Sequence, residues 1–314
     1  MAEQSTWSVA GPERITFEDA PAEVRVRIIG GTVNVVALPA DDPGPARLEV
    51  AAVTGPPLQI VRDGATLTVS YEDLPWNGAE GGLGKWFESK PWKRWTEAGG
   101  GGRKAWERTA ELTLAVPAAT RASVATVSAT AFVSGVSGGT DVNGVSGDIT
   151  LVGLAGRVKA HTVSGDVEAQ SVTGDLGFHS VSGGLTLADG AGASVRADSV
   201  SGDMLLDLDL DLADTATGAA RPVDIALNSV SGQVAIRLPD PVDAKVEANT
   251  ATGGISNAFD DLTVTGRLGS TRLTGTLGAG RGTLRATTVS GGIALLRRPT
   301  PEAPAPLALD KKVL

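Results

Sequence analysis

The chain has 314 residues, with 27 basic and 36 acidic side chains, a formal net charge of −9 at pH 7 and no cysteine. Glycine supplies 41 residues, far above the roughly 7% of average usage, while aromatic residues make up only 4%. These values disfavour a helical bundle or an ordinary doubly wound fold, remove disulfide scaffolds, cysteine metal sites and thiol catalysis, and argue against a nucleic-acid binder. The first 30 residues lack a basic start followed by an apolar stretch, so no secretory signal is read. No window approaches the roughly 18 apolar residues of a membrane span, and the expected setting is the cytoplasm.

Residues 1–75 read as an N-terminal β cap or first rungs. Val24-Arg25-Val26-Arg27-Ile28, Thr32-Val33-Asn34-Val35-Val36, Arg47-Leu48-Glu49-Val50 and Ala65-Thr66-Leu67-Thr68-Val69 alternate between apolar and polar, separated by Gly/Pro/Asp clusters. A Trp/Gly-rich basic insertion follows over 76–110. Five of the six tryptophans lie there: Trp76, Trp86, Trp92, Trp95 and Trp106, with Phe87 beside them. Between Pro75 and Arg108, seven basic residues, Lys93 and Arg94 among them, face four acids, a local net of +3. Trp with Lys/Arg is the composition of a docking arm or a membrane-interface anchor. The alternative is a loop that folds its indoles over one end of the repeats.

Residues 111–298 carry the strongest signal. Val-Ser-Gly-Asp/Gly, or a near match, starts at Val136, Val145, Val163, Val172, Val181 and Val200, the first five starts differing by 9, 18, 9 and 9. A degenerate copy at Leu154-Ala155-Gly156 fills the wider gap. Nine residues are too few to circle a core, but two nonapeptides make an 18-residue coil with one strand on each flattened side. The expected fold is an all-β solenoid of such coils. In the Val163 unit, Val163, Gly165, Val167 and Ala169 are expected to face inward and Ser164, Asp166 and Glu168 outward. Gly165 marks a bend or a close backbone approach. Later copies at Val230, Ala251 and Val289 follow at spacings of 30, 21 and 38, which imply coils that grow or carry insertions. Asp207-Leu208-Asp209-Leu210-Asp211-Leu212 reads as an exposed acid-faced strand whose charges blunt edge pairing. Residues 299–314 form a Pro/Ala-rich tail.

Trp7, Ile28-Ile29-Gly30-Gly31-Thr32-Val33-Asn34-Val35 and the recurring Val-Ser-Gly-Asp/Gly resemble the Toastrack family of bacterial β-strand repeat proteins, also called "putative adhesins". The resemblance covers roughly residues 24 to 298 and implies a non-enzymatic scaffold, often tied to envelope-stress systems.

Catalytic and metal-binding patterns are weak. Gly135-Val136-Ser137-Gly138-Gly139 matches a nucleophile elbow by letter, but arises from the repeat. Asp148 and Asp166 stack 18 residues apart and could share a calcium ion; the preferred reading has each Asp bonding its own backbone in a turn. His161 and His179, the only histidines, are also 18 apart. They read as rungs of a solvated polar ladder, since a useful metal site needs further ligands. No enzyme activity, cofactor or metal is expected. The expected function is a scaffold for a protein partner or self-assembly, with Trp76, Trp86, Phe87, Trp92, Lys93, Arg94, Trp95 and Trp106 as the docking residues. The alternatives are a peripheral protein at the inner membrane surface and an adhesin-like surface protein. No nucleic-acid partner is expected.

Overall fold

The structure is a computed structural model that describes residues 4–41, 44–72, 107–209, 222–267 and 269–298, and all regular elements among them are strands. The N-terminal strands are β1 (Gln4–Val9), β2 (Glu13–Phe17), β3 (Glu23–Ile28), β4 (Gly30–Ala37), β5 (Ala46–Thr54), β6 (Leu58–Asp63) and β7 (Thr66–Ser70). Next come β8 (Thr109–Val116), β9 (Arg121–Thr126), β10 (Thr130–Ser134), β11 (Thr140–Asn143), β12 (Ile149–Val152), β13 (Val158–His161), β14 (Val167–Gln170), β15 (Leu176–His179), β16 (Leu185–Gly190), β17 (Ser194–Ser199) and β18 (Met204–Leu208). The last are β19 (Asp224–Ser229), β20 (Val234–Leu238), β21 (Ala244–Thr250), β22 (Ile255–Asn257), β23 (Leu262–Arg267), β24 (Ser270–Leu277), β25 (Gly282–Thr288) and β26 (Ile293–Arg297).

They form two long, mostly parallel sheets. One has 14 strands, in the order β1-β6-β7-β3-β9-β11-β13-β15-β17-β19-β25-β21-β24-β23. The other has 12, in the order β2-β5-β8-β4-β10-β12-β14-β16-β18-β20-β26-β22. From β9 to β20 successive strands alternate between the sheets. As far as β15 and β16, bonded neighbours lie 18 residues apart in each: Thr140 opposite Val158 and then Leu176, Ile149 opposite Val167 and then Leu185; the step is 19 to β17 and β18 and 30 to β19 and β20. Antiparallel pairs occur towards the two ends, where β1, β2, β5 and β6, and β23 and β24, turn back on themselves.

Alternation along each strand sends one set of side chains into a narrow core. Val158 and Ala160, Val167 and Ala169, and Leu176 and Phe178 are buried together with the inward residues of the other coils. A repeating glycine sets how closely the coils approach. A Cβ on Gly165 would lie 2.1 Å from the carbonyl oxygen of Gly147, one on Gly183 2.0 Å from that of Gly165, and one on Gly202 1.9 Å from that of Gly183. None of these glycines has a positive φ, so the reason for glycine is the close approach and not the backbone conformation. The serine beside each glycine fastens the same corner. Ser164 Oγ donates to the Val145 carbonyl (3.2 Å), Ser182 Oγ to Val163 (3.1 Å) and Ser201 Oγ to Val181 (3.3 Å).

Four features depart from the expectations. The repeat valines at this corner are not core: Val163 is only partly buried, and Val181, Val200, Val230 and Val289 are 46 to 50% exposed. The equivalent residues at the opposite corner, Val136, Leu154 and Val172, are buried. The two nonapeptides of a coil therefore turn differently. Second, the coils do not stack in chain order. β25 lies between β19 and β21, and β26 between β20 and β22, so the Val289 repeat sits between the Val230 and Ala251 repeats instead of beyond them. Third, the acid-faced strand is no edge. β18 is paired on both sides, Asp207 is held by Arg237 (3.1 Å), and Arg298 reaches Asp189 (2.7 Å) and Asp209 (3.4 Å); residues 210–212 lie outside the described residues. Fourth, β8 begins at Thr109, inside the expected insertion, and pairs with both β4 and β5.

Candidate functional site

The sequence-predicted docking residues Trp76, Trp86, Phe87, Trp92, Lys93, Arg94, Trp95 and Trp106 lie outside the described residues. The structure does define where their segment leaves and re-enters, between β7 and β8. Tyr71, buried, and Arg108 frame the gap, with the guanidinium carbon 5.5 Å from the ring centroid. The Arg108 carbonyl accepts from the Gly30 amide at 3.1 Å.

On the outer face of the 14-stranded sheet, strand register brings His161 and His179 side by side. Their rings stack at a centroid distance of 5.0 Å and an interplanar angle of 9°. Nδ1 of His179 lies 3.1 Å from Asp198 Oδ2, and Asn228 donates to Asp198 Oδ1 at 2.8 Å. One strand before His161, Asn143 donates to Asp141 at 2.6 Å. Partial burial lowers the His161 pKa, the neighbouring His179 lowers it further, and Asp141 works against both. Among the described residues no group of three or more His, Asp or Glu side chains is placed to hold a metal.

The other predicted sites are occupied by structural bonds. Asp148 Oδ1 accepts from the Asp166 amide (3.1 Å), Asp166 Oδ1 from the Gly184 amide (2.7 Å) and Asp203 Oδ1 from the Gln233 amide (2.7 Å). The acids thus bond the corner amide of the next coil and not their own turn. Ser137 Oγ donates to the Ala118 carbonyl at 3.1 Å.

Sequence reasoning missed a basic group on the same sheet face. Register places Lys159 between Asp141 and Gly177, and Gly177 between Lys159 and Arg196. Gly139, immediately before β11, falls between Arg121 and Arg157 of the flanking strands. Two shallow depressions result, of about 380 and 360 Å³. Arg121, Gly139, Asp141, Arg157 and Lys159 line the first; Arg157, Lys159, Asp175, Gly177, Ser194 and Arg196 line the second. Arg196 contacts Asp224 at 3.4 Å. Among the described residues, Arg121, Arg157 and Lys159 make no ion pair. The signal was present in the sequence: Arg121 and Arg157 are 36 residues apart, two coils.

A larger cleft, of about 610 Å³, opens at the N-terminal end of the stack. Trp7 meets Phe17 there edge-on at 5.7 Å, and Arg62 donates to the carbonyls of Gly64 (3.2 Å) and Asp19 (3.1 Å).

The fold and these faces define an all-β protein of two long, mostly parallel sheets. No protein-family model and no curated protein matches the sequence, so the Toastrack resemblance rests on the repeats that carry it. A crystal structure of a "putative cell adhesion protein" from Clostridium sporogenes overlaps 95% of this chain and all of its own, at 7% identity and a TM-score of 0.28. So weak an overlap bears on neither fold nor function.

Proposed function

We propose that the chain is a non-enzymatic β-repeat scaffold, a β-solenoid that presents flat outer faces and its Trp-rich segment to a protein partner or to further copies of itself. The observation that carries this reading is the uninterrupted run of 14 strands in one sheet and 12 in the other. At about 4.8 Å per strand the larger sheet is roughly 65 Å long. Its side chains stand in fixed columns, a geometry suited to recognising extended surfaces. Segment 76–106 adds large indoles and basic groups of the kind that dominate protein interfaces. The resemblance in the repeats extends the proposal to bacterial envelope-stress sensing or an adhesin-like role.

Replacing Trp86, Trp92 and Trp95 together with Ala tests it. The expected result is unchanged β-type circular dichroism and loss of self-association in sedimentation velocity. Association that survives the triple change refutes a docking role for the segment. A blue shift of tryptophan emission on adding anionic vesicles would move the proposal to a peripheral membrane role.

A further inference from the structure

We infer that the two basic depressions on the outer face of the 14-stranded sheet, over Gly139 and Gly177, form a binding site for an acidic polysaccharide. The inference goes beyond the scaffold reading and makes no use of the Trp-rich segment.

The first observation concerns the two glycines. At the repeat corners, as at Gly147, Gly165, Gly183 and Gly202, a Cβ would run into a carbonyl oxygen of the adjacent coil. A Cβ on Gly177 would meet nothing closer than 3.9 Å, and one on Gly139 nothing closer than 3.9 Å. Neither has a positive φ. Gly177 lies inside β15, at an outward position where a strand gains from a β-branched or aromatic side chain, and glycine there weakens the strand by roughly 0.5–1 kcal/mol. The fold has no steric need for glycine at either place. What both glycines do is keep a notch open between basic side chains, and a glycine in a strand is a recurring mark of close approach by a ligand.

The second observation is charge. Among the described residues, Arg121, Arg157 and Lys159 make no ion pair, in a chain of net charge −9. Two guanidiniums present the planar fork that grips a carboxylate with two bonds. Arg121 and Arg157 are separated by one intervening strand, as are Lys159 and Arg196, so each pair spans about 9.6 Å along the stack. That is the length scale of a disaccharide, so alternate sugars of an extended polyuronate would present a carboxylate to each member of a pair.

The third observation selects the partner. Asp141 and Asp175 line the same notches. They oppose the dense charge of a polyphosphate more than the sparser carboxylates of a glycan, and they accept hydrogen bonds from sugar hydroxyls, which a polyphosphate lacks. No Phe, Tyr or Trp points outward from β11, β13, β15 or β17, so the face lacks the stacking platforms of single-stranded nucleic-acid sites.

The test is affinity electrophoresis and calorimetry of the whole protein with polygalacturonate, against neutral dextran, duplex DNA and anionic phospholipid vesicles. Polygalacturonate should bind, more weakly as salt rises, and dextran should not. Gly177→Thr and Gly139→Thr should each weaken binding at least tenfold while the Tm stays level or rises. Arg157→Gln with Lys159→Gln should weaken it tenfold or more. Absence of polygalacturonate binding, equal binding of dextran, or wild-type affinity in the notch-filled variants overturns the inference. So does DNA or vesicle binding that is lost in the same variants while polygalacturonate is ignored. A lowered Tm in Gly177→Thr overturns it too, because the glycine would then serve packing. Loss of self-association in the Trp variant leaves this result untouched, so the two proposals fail separately.

Discussion

Substituting the stacked glycine at 165 with alanine is the sharpest test of how the coils are held together. The new Cβ would sit 2.1 Å from the Gly147 carbonyl oxygen and 2.8 Å from its carbon. Relief requires the two coils to separate by more than an ångström at that corner. Four bonds cross the gap: Ser164 N to the Val145 carbonyl (2.9 Å), Ser164 Oγ to the same oxygen (3.2 Å), Asp166 N to Asp148 Oδ1 (3.1 Å) and Ile149 N to the Asp166 carbonyl (2.9 Å). At about 1 kcal/mol each, losing two or three, with overpacking strain of about 1–3 kcal/mol, gives a loss of roughly 3–6 kcal/mol. Gly177→Ala is the internal control. It introduces the same atom where the nearest neighbour is 3.9 Å away, and should stabilise by a few tenths to about 1 kcal/mol. Urea unfolding followed by circular dichroism reads both. If the two variants shift the midpoint alike, or Gly165→Ala loses less than about 1 kcal/mol, close approach is not what selects glycine at the repeat position.

Two further predictions use the same structure. His161 has its pKa lowered by burial and by His179. The unfolded chain therefore binds the proton more readily, and stability should be complete above about pH 6.5, the free-histidine value, and fall as pH drops from there towards the lowered value. Since Asp141 pulls the other way and Lys159 adds to the lowering, a proton NMR titration of the two histidines is the direct check. A His161 that titrates at or above the ordinary value refutes it, as does an unchanged pH slope of Tm in His161→Asn. The two repeat corners should also differ in their response to truncation. Val200→Ala, at a position 49% exposed, should change stability by less than about 0.5 kcal/mol, and Val172→Ala, 1% exposed, should lose about 2 kcal/mol by thermal unfolding. Equal losses would put both valines in the core.

The strand content and the 18-residue step were legible because they follow from local chemistry: alternation at Val167-Glu168-Ala169 and a glycine at a fixed place in each unit. What could not be read depended on the next coil. Asp166 bonds the Gly184 amide, a partner that exists only once coils stack, and a turn residue viewed alone suggests its own backbone. Val163 and Val172 open near-identical repeats, yet one is buried and the other only partly so, because the corners differ in how they re-enter the sheets. The acids at Asp207 and Asp209 looked free until Arg298, some 90 residues later, was seen to reach them. The basic depressions were not legible because Arg121, Arg157 with Lys159, and Arg196 are scattered through three units and meet only across strands.

The seating of β25 and β26 inside the stack bears on how the molecule is made. Leu284 pairs with Val246, and Leu295 with Ile236, so a coil synthesised later fills a slot between neighbours synthesised earlier. A ribosome emitting this chain cannot add rungs one upon another to completion. After β20 emerges, its outer edge must stay open, and β21 and β22 must wait or swing aside, until residues 282–297 arrive. Open strand edges are where chains pair wrongly with one another. The late coil acts as a keystone: a chain broken before it would carry an unsealed edge and a detached end hairpin, leaving an incomplete product recognisable by its exposed strands.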